Sequence, residues 1–412
     1  MTPFRCLAAA FSLPVFASAV DCQSAADDAR LLASAANRFG ADLHAQLGAG
    51  PAPTASPGSV AVALLMLLPG ARGDTEQELR AVLHLPDELR GARLHAAAKA
   101  LLDGLVPKSP RGRNQVAQLR IVDDVWVQTD YPILPEYTNL LRSSYASKVH
   151  GVPFATEPAK ARQQINEHIA AVTNQRIPEL LTPDLITPAT CVVLTNAIWL
   201  KAAWLHPFGE GGTALRSFTL GDGSPVDVPT MTGDETFGWS ETAAWQCVAL
   251  PFADCTIVAE FILPRAGHDL ATAERALLAG EPAAARESAL VHVQLPKFRV
   301  TGNHRLEAPL RALGLRAAFD AQRADFTGIT LRRDLVVDDV VHQTWIQVDE
   351  QGAEAAAATA VVLKRGSAGS GERKQFVADR PFAFTLREVQ SGLVLFVGRV
   401  TDPRQAPTVA GR

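Results

Sequence analysis

The chain predicts a single α+β domain, and three observations carry that expectation. Apolar residues recur at helical spacing through most of the first half, β-prone runs dominate the second, and no internal repeat or low-complexity linker divides the 412 residues. A composition that is 47% hydrophobic and 20% charged supplies ample core and fits neither a disordered chain nor a membrane protein. The net charge of −4 gives no general reason to bind nucleic acid or an anionic membrane. No apolar run reaches the roughly 18–20 residues that a spanning helix needs.

The elements follow in order. Arg5 precedes an apolar stretch from Leu7 to Phe16 that ends in Ala17-Ser18-Ala19, a small-x-small cleavage pattern. Residues 1–19 therefore read as a signal peptide of an exported chain, secreted or periplasmic, with 20–412 as the mature domain. An extension ahead of the first helix is the alternative. Cys22, Cys191, Cys247 and Cys255 remain after such cleavage. A cross-strand Cys247–Cys255 bridge and buried free thiols are both open.

Asp27 to Leu47 carries Leu31, Leu32, Ala35, Phe39 and Leu43 at helical spacing, and Gly48 to Pro57 breaks it. Ser59 to Leu68 is apolar almost throughout, so that helix is expected to be buried on most sides. Further helices are expected at Asp74–Leu83, with Asp74 as N-cap, and at Leu94–Leu105. The basic loop 107–114 reads as solvated. Gln118 to Gln128 alternates as a strand, and helices return at 135–147 and 158–174. Cys191 to Leu200 is a continuous β-prone run, as expected of a strand covered on both faces. Strands are then expected at 215–220, 225–231, 245–252, 255–263, 290–295 and 335–348, interrupted by helices at 268–279 and 303–313. Phe382 to Val400 reads as a hairpin turning near Gln390-Ser391-Gly392.

One tract departs from this pattern. Residues 350–374 lie between two strand-like runs and are too long for a turn. Structureless loops beyond about 12–15 residues are unusual in a compact domain and are usually functional or disordered. From Ala353 to Thr359 every side chain is small except Glu354. As a strand, this segment would place Ala353, Ala355, Ala357 and Thr359 on one face, able to slip over a packed core, with Glu354 on the other. It contains no proline, so each residue can donate a ladder hydrogen bond. From Leu363 to Gly371 the tract turns Gly/Ser-rich around the dibasic Lys364-Arg365, a natural protease substrate. An alanine-rich surface helix with a flexible linker is the competing account of these residues.

Read with the rest of the chain, these motifs resemble the serpin family over nearly all of residues 30–403. The hinge Glu350-x-Gly352-Ala353-Glu354-Ala355-Ala356-Ala357-Ala358-Thr359 looks like that of inhibitory serpins. Ser56-Pro57-Gly58-Ser59-Val60, Asn166 with Thr173 and Ile177, Leu194 to Trp204, Pro296-Lys297-Phe298, Asp325 to Ile329, His342, Pro381 to Phe384 and Phe396 to Val400 complete the series in order. Ala353 stands where Thr or Ser is commoner, Gln343 where Lys often follows the His, and the loop before Pro381 is a few residues longer than usual.

The resemblance implies three β-sheets, eight or nine helices and an exposed reactive-centre loop at about 350–378. It implies a monomeric suicide substrate for serine proteases, trypsin-like or subtilisin/elastase-like, with a cysteine protease as a further candidate partner and no cofactor or metal. Register from Gly352 puts the reactive bond at Gly366–Ser367, and a hinge one residue shorter puts it at Arg365–Gly366. Hinge residues 350–359 would enter the main sheet after cleavage. Ser56, Asn196 and His342 would form a latch beneath the opening point, and Lys297 would pair with Glu350 near Trp204. A non-inhibitory serpin with a carrier, chaperone or storage role is the alternative. An enzyme is disfavoured: the chain has no Gly-x-Ser-x-Gly, His-Glu-x-x-His, P-loop or Cys-x-x-Cys motif.

Overall fold

Ser56 accepts a hydrogen bond from the Ser59 N–H, and Pro57, which has no N–H, occupies the first turn, so two of the helix's early donor positions are accounted for. Every residue of that helix, Pro57–Leu67, is buried. The structure, a computed structural model, describes residues 17–48, 54–105, 118–353 and 373–404. The helices among them are α1 (Ala17–Gln46), α2 (Pro57–Leu67), α3 (Gly73–Val82), α4 (Gly91–Leu105), α5 (Pro135–Ser144), α6 (Pro158–Val172), α7 (Leu270–Ala279), α8 (Glu281–Ala284) and α9 (Glu307–Ala312). None is long and apolar enough to cross a membrane.

The strands in the first half are β1 (Thr54–Ala55), β2 (Gln118–Gln128), β3 (Val149–Val152) and β4 (Val192–Ala203). Then come β5 (Ala214–Thr219), β6 (Pro225–Glu241), β7 (Trp245–Pro251), β8 (Ile257–Pro264), β9 (Glu287–Pro296) and β10 (Phe298–Arg305). The last are β11 (Asp339–Asp349), β12 (Gly352–Ala353), β13 (Lys374–Val377), β14 (Phe382–Glu388) and β15 (Val394–Val400).

A six-stranded sheet runs β10-β11-β12-β4-β2-β3. The other network has nine strands, in the order β1-β15-β14-β8-β7-β6-β9-β13 with β5 added on β6. Strand β6 divides it: its first residues pair with β5, its middle with β9 and its end with β7. The three sheets implied by the sequence are thus the six-stranded sheet and two sections that share β6. One large core joins α1, α2 and α4 to both networks. A second, smaller core lies on the opposite face of the six-stranded sheet, beneath α6.

Several boundaries differ from the sequence expectation. The helix expected at 303–313 begins only at Glu307, because His304 and Arg305 still pair with His342 and Val341 across the β10–β11 ladder. Cross-strand pairing overrides the local helical pattern there. The strand expected at 225–231 continues to Glu241. Asp74 lies in the first turn of α3 rather than capping it; Arg72 is the N-cap and makes no side-chain cap. Helix α1 begins at Ala17, ahead of the expected Asp27. Cys191, Cys247 and Cys255 are free thiols, Cys247 buried and Cys255 exposed, so the conjectured 247–255 bridge is not made.

Candidate functional site

The six-stranded sheet is parted at one end. β4 and β11 are parallel neighbours from Val193 opposite Asp339 to Trp199 opposite Trp345. Beyond that point they separate, and β12 lies between them, antiparallel to both. Ala353 sits opposite Val348 on one side and Ala202 on the other, and is fully buried. Gly352 has φ +148°, and a Cβ there would come within 2.0 Å of the Ala202 carbonyl oxygen, so only glycine fits.

The turn into β12 is held by backbone groups. The Trp204 N–H donates to the Gln351 carbonyl, the Trp204 indole to the Asp349 carbonyl, and the Phe208 N–H to the Glu350 carbonyl, each at 2.9 Å. The Trp204 ring stacks on Phe252 with centroids 4.6 Å apart. The Lys297 Nζ lies 2.8 Å from a Glu350 carboxylate oxygen, and the Thr213 hydroxyl donates to the other at 2.8 Å. Burial pulls the Glu350 carboxyl upward, but hydrogen bonds from Lys297, the backbone and Thr213 hold it below the ordinary range. Lys297, Glu350 and Trp204 thus meet at the head of the parted strands. Thr213 completes the group; nothing in its sequence context marked it.

A buried polar cluster lies beneath, where β4 and β11 still touch. The His342 Nε2 accepts from the Ser56 N–H at 2.9 Å, which assigns the ring proton to Nδ1, facing the Asn196 carbonyl oxygen. The Asn196 amide donates to the Ser59 hydroxyl and to the Asp123 carboxyl. Ser56, Ser59, Asn196 and His342 are all fully buried. The cluster therefore joins α2, β2, β4 and β11. Ser59 was named only within the Ser56–Val60 motif, with no role given, and Asp123 was not singled out, although a carboxylate inside the β2 run was a usable signal.

Burial, together with the nearby His304, pushes His342 down to about 3, so the ring is neutral. Burial likewise drives the Asp123 carboxyl well above the usual range. The two groups act on stability with opposite sign. As pH falls from about 6.5 toward 3, the unfolded chain protonates His342 and the folded one does not, which costs up to about 1.4 kcal/mol per pH unit. As pH rises above the usual carboxylate range, the unfolded chain loses a proton that folded Asp123 keeps, which also costs stability. Asp123→Asn removes the second effect. It is expected to raise the denaturant midpoint at pH 7.5 and to leave a clear loss of stability on acidification below pH 6.5. Unfolding curves of both proteins across this range check it; a lowered midpoint at pH 7.5 contradicts the assignment.

Of the remaining sequence-derived residues, Glu354, Ala355, Ala356, Ala357, Ala358 and Thr359 and the candidate bond residues Arg365, Gly366 and Ser367 lie outside the described residues. The structure therefore positions the root of the loop and the residues around it.

A sheet whose two central strands are parted at one end by the root of the following loop defines a class of protein, one whose loop is anchored within the sheet itself. The family model for Serpin (serine protease inhibitor) matches residues 34–403, and the chain belongs to the serpin family. It is 35% identical over 376 residues to the serpin-like protein TK1782 of Thermococcus kodakarensis, covering 90% of this chain and 85% of that one. It is 31% identical to the leukocyte elastase inhibitor of Sus scrofa, covering 90% and 99%. Human thyroxine-binding globulin superimposes with a TM-score of 0.82 at 23% identity, over 92% and 100% of the two chains, a likeness of fold alone.

Proposed function

We propose that this serpin inhibits serine-type endopeptidases as a suicide substrate. The observation that carries the proposal is the register of β12. Antiparallel pairing sets Ala353 opposite Ala202 and Val348, so each further loop residue that entered would move one step down both strands. Continued in that register, Ala355 would face Leu200 and Ile346, and Ala357 would face Ile198 and Thr344. These flanking positions are buried over the large core, where only small side chains fit without displacing a neighbour. Thr359 would arrive between Asn196 and His342 and offer its hydroxyl to the groups it separates.

The other face explains alanines that one-sided packing does not require. Ala356 would pass between Trp199 and Trp345, both in the core that α6 covers, so a large side chain would collide with the helix above. Glu354 would lie beside Lys201 and Gln347 at the accessible end, where Lys201 is only partly buried.

In the reaction proposed, the protease nucleophile adds to the carbonyl carbon of Arg365 or Gly366. The peptide C–N bond breaks, the C-terminal segment leaves with the proton on its new amine, and an acyl-enzyme remains. The freed hinge then enters the sheet and carries the acylated protease with it. About ten new ladder bonds at about 1 kcal/mol net each favour this by on the order of 10 kcal/mol before packing is counted. Arg365 as the acylating residue suits a trypsin-like pocket, and Gly366 suits a small one. The protein acts outside the cell or in the periplasm after removal of residues 1–19.

Incubation with trypsin, and separately with a subtilisin or an elastase, tests the reading. The expected product is an SDS-stable complex, with a released C-terminal peptide starting at Gly366 or Ser367. Cleavage in the loop without any complex would reject inhibition of these classes. It would favour a carrier role, for which a cavity of about 720 Å³ between α1 and α7, lined in part by His44 and Glu274, is the relevant feature.

A further inference from the structure

We propose that Asp124, His150 and His168 form a binding site for a divalent transition-metal ion of the zinc class, which ties α6 to the edge of the six-stranded sheet. The three residues come from β2, β3 and α6, and their ligand atoms all lie within 4.8 Å of one another. The His150 Nε2 is 3.1 Å from one Asp124 carboxylate oxygen, and the His168 Nε2 is 2.9 Å from the other. Around a tetrahedral ion with bonds of about 2.0–2.1 Å, neighbouring ligand atoms stand roughly 3.4 Å apart. The two His–Asp contacts would open by a few tenths of an ångström to admit the ion, and the longer ligand separations, at most 4.8 Å, would close toward that value.

The donor set suits the same class. Two imidazoles and one carboxylate match borderline divalent ions rather than calcium or magnesium, which prefer all-oxygen shells. The ligands are also held in place. His150 stacks on Trp126 with centroids 4.3 Å apart, His168 meets the edge of the same ring, and the Trp126 indole is fixed by its hydrogen bond to the Thr195 hydroxyl at 2.9 Å. Asp124 is buried, whereas the His150 and His168 side chains are 24% and 33% exposed, so water can reach the ion and supply a fourth ligand. In the sequence the three residues stand far apart with no ligand spacing, and only the fold assembles them.

The consequence concerns α6. This helix and the segment after it cover Trp199 of β4 and Trp345 of β11, and Arg176 lies 5.1 Å over the Trp345 ring. They bridge the seam between the two central strands. An ion shared by β2, β3 and α6 would anchor that cover to the sheet edge. Binding requires each ring to carry its proton on Nδ1, because the metal takes the Nε2 lone pair.

Calorimetric titration of ZnCl2 into the purified mature protein tests the site, with Co2+ as a spectroscopic substitute. The expected result is one equivalent bound, visible d–d absorption with Co2+, and slower amide exchange in α6. His150→Gln and His168→Gln should each weaken binding at least tenfold, about 1.4 kcal/mol. Both side chains are partly exposed, and melting of the metal-free variants shows whether they fold. As a measurement on the unaltered protein, Zn2+ should protect His150 and His168 from diethyl pyrocarbonate, read by mass spectrometry. No binding, binding that survives in the double variant, or no protection of the two rings would leave a hydrogen-bonded His–Asp–His triad and overturn the proposal. None of these readouts depends on protease inhibition.

Discussion

On the proposed function, Ala353→Arg is expected to turn protease trapping into plain cleavage of the loop. Ala353 is fully buried between Val348 and Ala202, with no space or partner for a guanidinium. A buried charge without a counter-ion costs several kcal/mol, so the arginine would stay out of the slot. Insertion would then stall at its first step. The loop would still be cut, because the altered residue lies thirteen positions before Gly366. Titration against a fixed amount of protease should show at least a tenfold rise in the inhibitor needed per enzyme, with the cleaved form accumulating on gels. Ala353→Ser, which adds one small hydroxyl, should remain an inhibitor. Unchanged stoichiometry in the arginine variant would show that the hinge does not enter between β4 and β11.

Asn196→Ala is expected to be the most destabilising single change in the buried cluster. It removes the partner of His342 on one side and of Ser59 and Asp123 on the other, all within the protein interior. Each buried group left unsatisfied costs about 1–3 kcal/mol, so a loss of about 3 kcal/mol or more is expected in denaturant unfolding. The same cluster fastens β4 to β11, and the variant should also lose the proposed inhibitory activity faster on storage at 37 °C. Thr359→Val separates the two roles. It should leave the intact protein unchanged and lower the melting temperature of the loop-cleaved form, because only after insertion would its hydroxyl reach Asn196 and His342. A cleaved form unaffected by Thr359→Val would show that the inserted strand takes a different register.

Much of this was legible in the sequence, for physical reasons that differ by region. Periodicity located α4 and β2, and continuous apolar runs located α2 and β4; the burial of all four is set by their own side chains. The hinge stood out because an alanine run inside an otherwise mixed sequence has few other uses. Boundaries governed by partners were less legible. His304 and Arg305 read as helical but are held in β10 by His342 and Val341, residues that a local window does not contain. The site shows the same division. Asn196, His342, Trp204, Lys297 and Glu350 were named from the family resemblance. The roles of Ser59, Asp123 and Thr213 became visible only when contacts between distant segments were drawn; 137 positions separate Ser59 from Asn196 and Thr213 from Glu350. Asp124, His150 and His168 lay equally hidden, because each alone is an ordinary polar residue.

The parting of β4 and β11 also has a mechanical meaning. Below Ala202, strand β4 runs from Lys201 down to Val192, which in the register of β12 would match ten further residues, Glu354 through Leu363, were the proposed insertion to run its full course. Insertion to that depth would be a stroke of about 33 Å at roughly 3.3 Å per residue, and β4 would run out just before the dibasic pair. Deleting two hinge residues would keep every remaining side chain on its face yet shorten the travel by about 7 Å. Deleting one would turn each later residue over, sending the inward face to α6 and the outward face to the core. In the proposed mechanism, whatever is attached at the end of the loop would thus be moved by a distance counted in hinge residues, with the length of β4 as its upper limit.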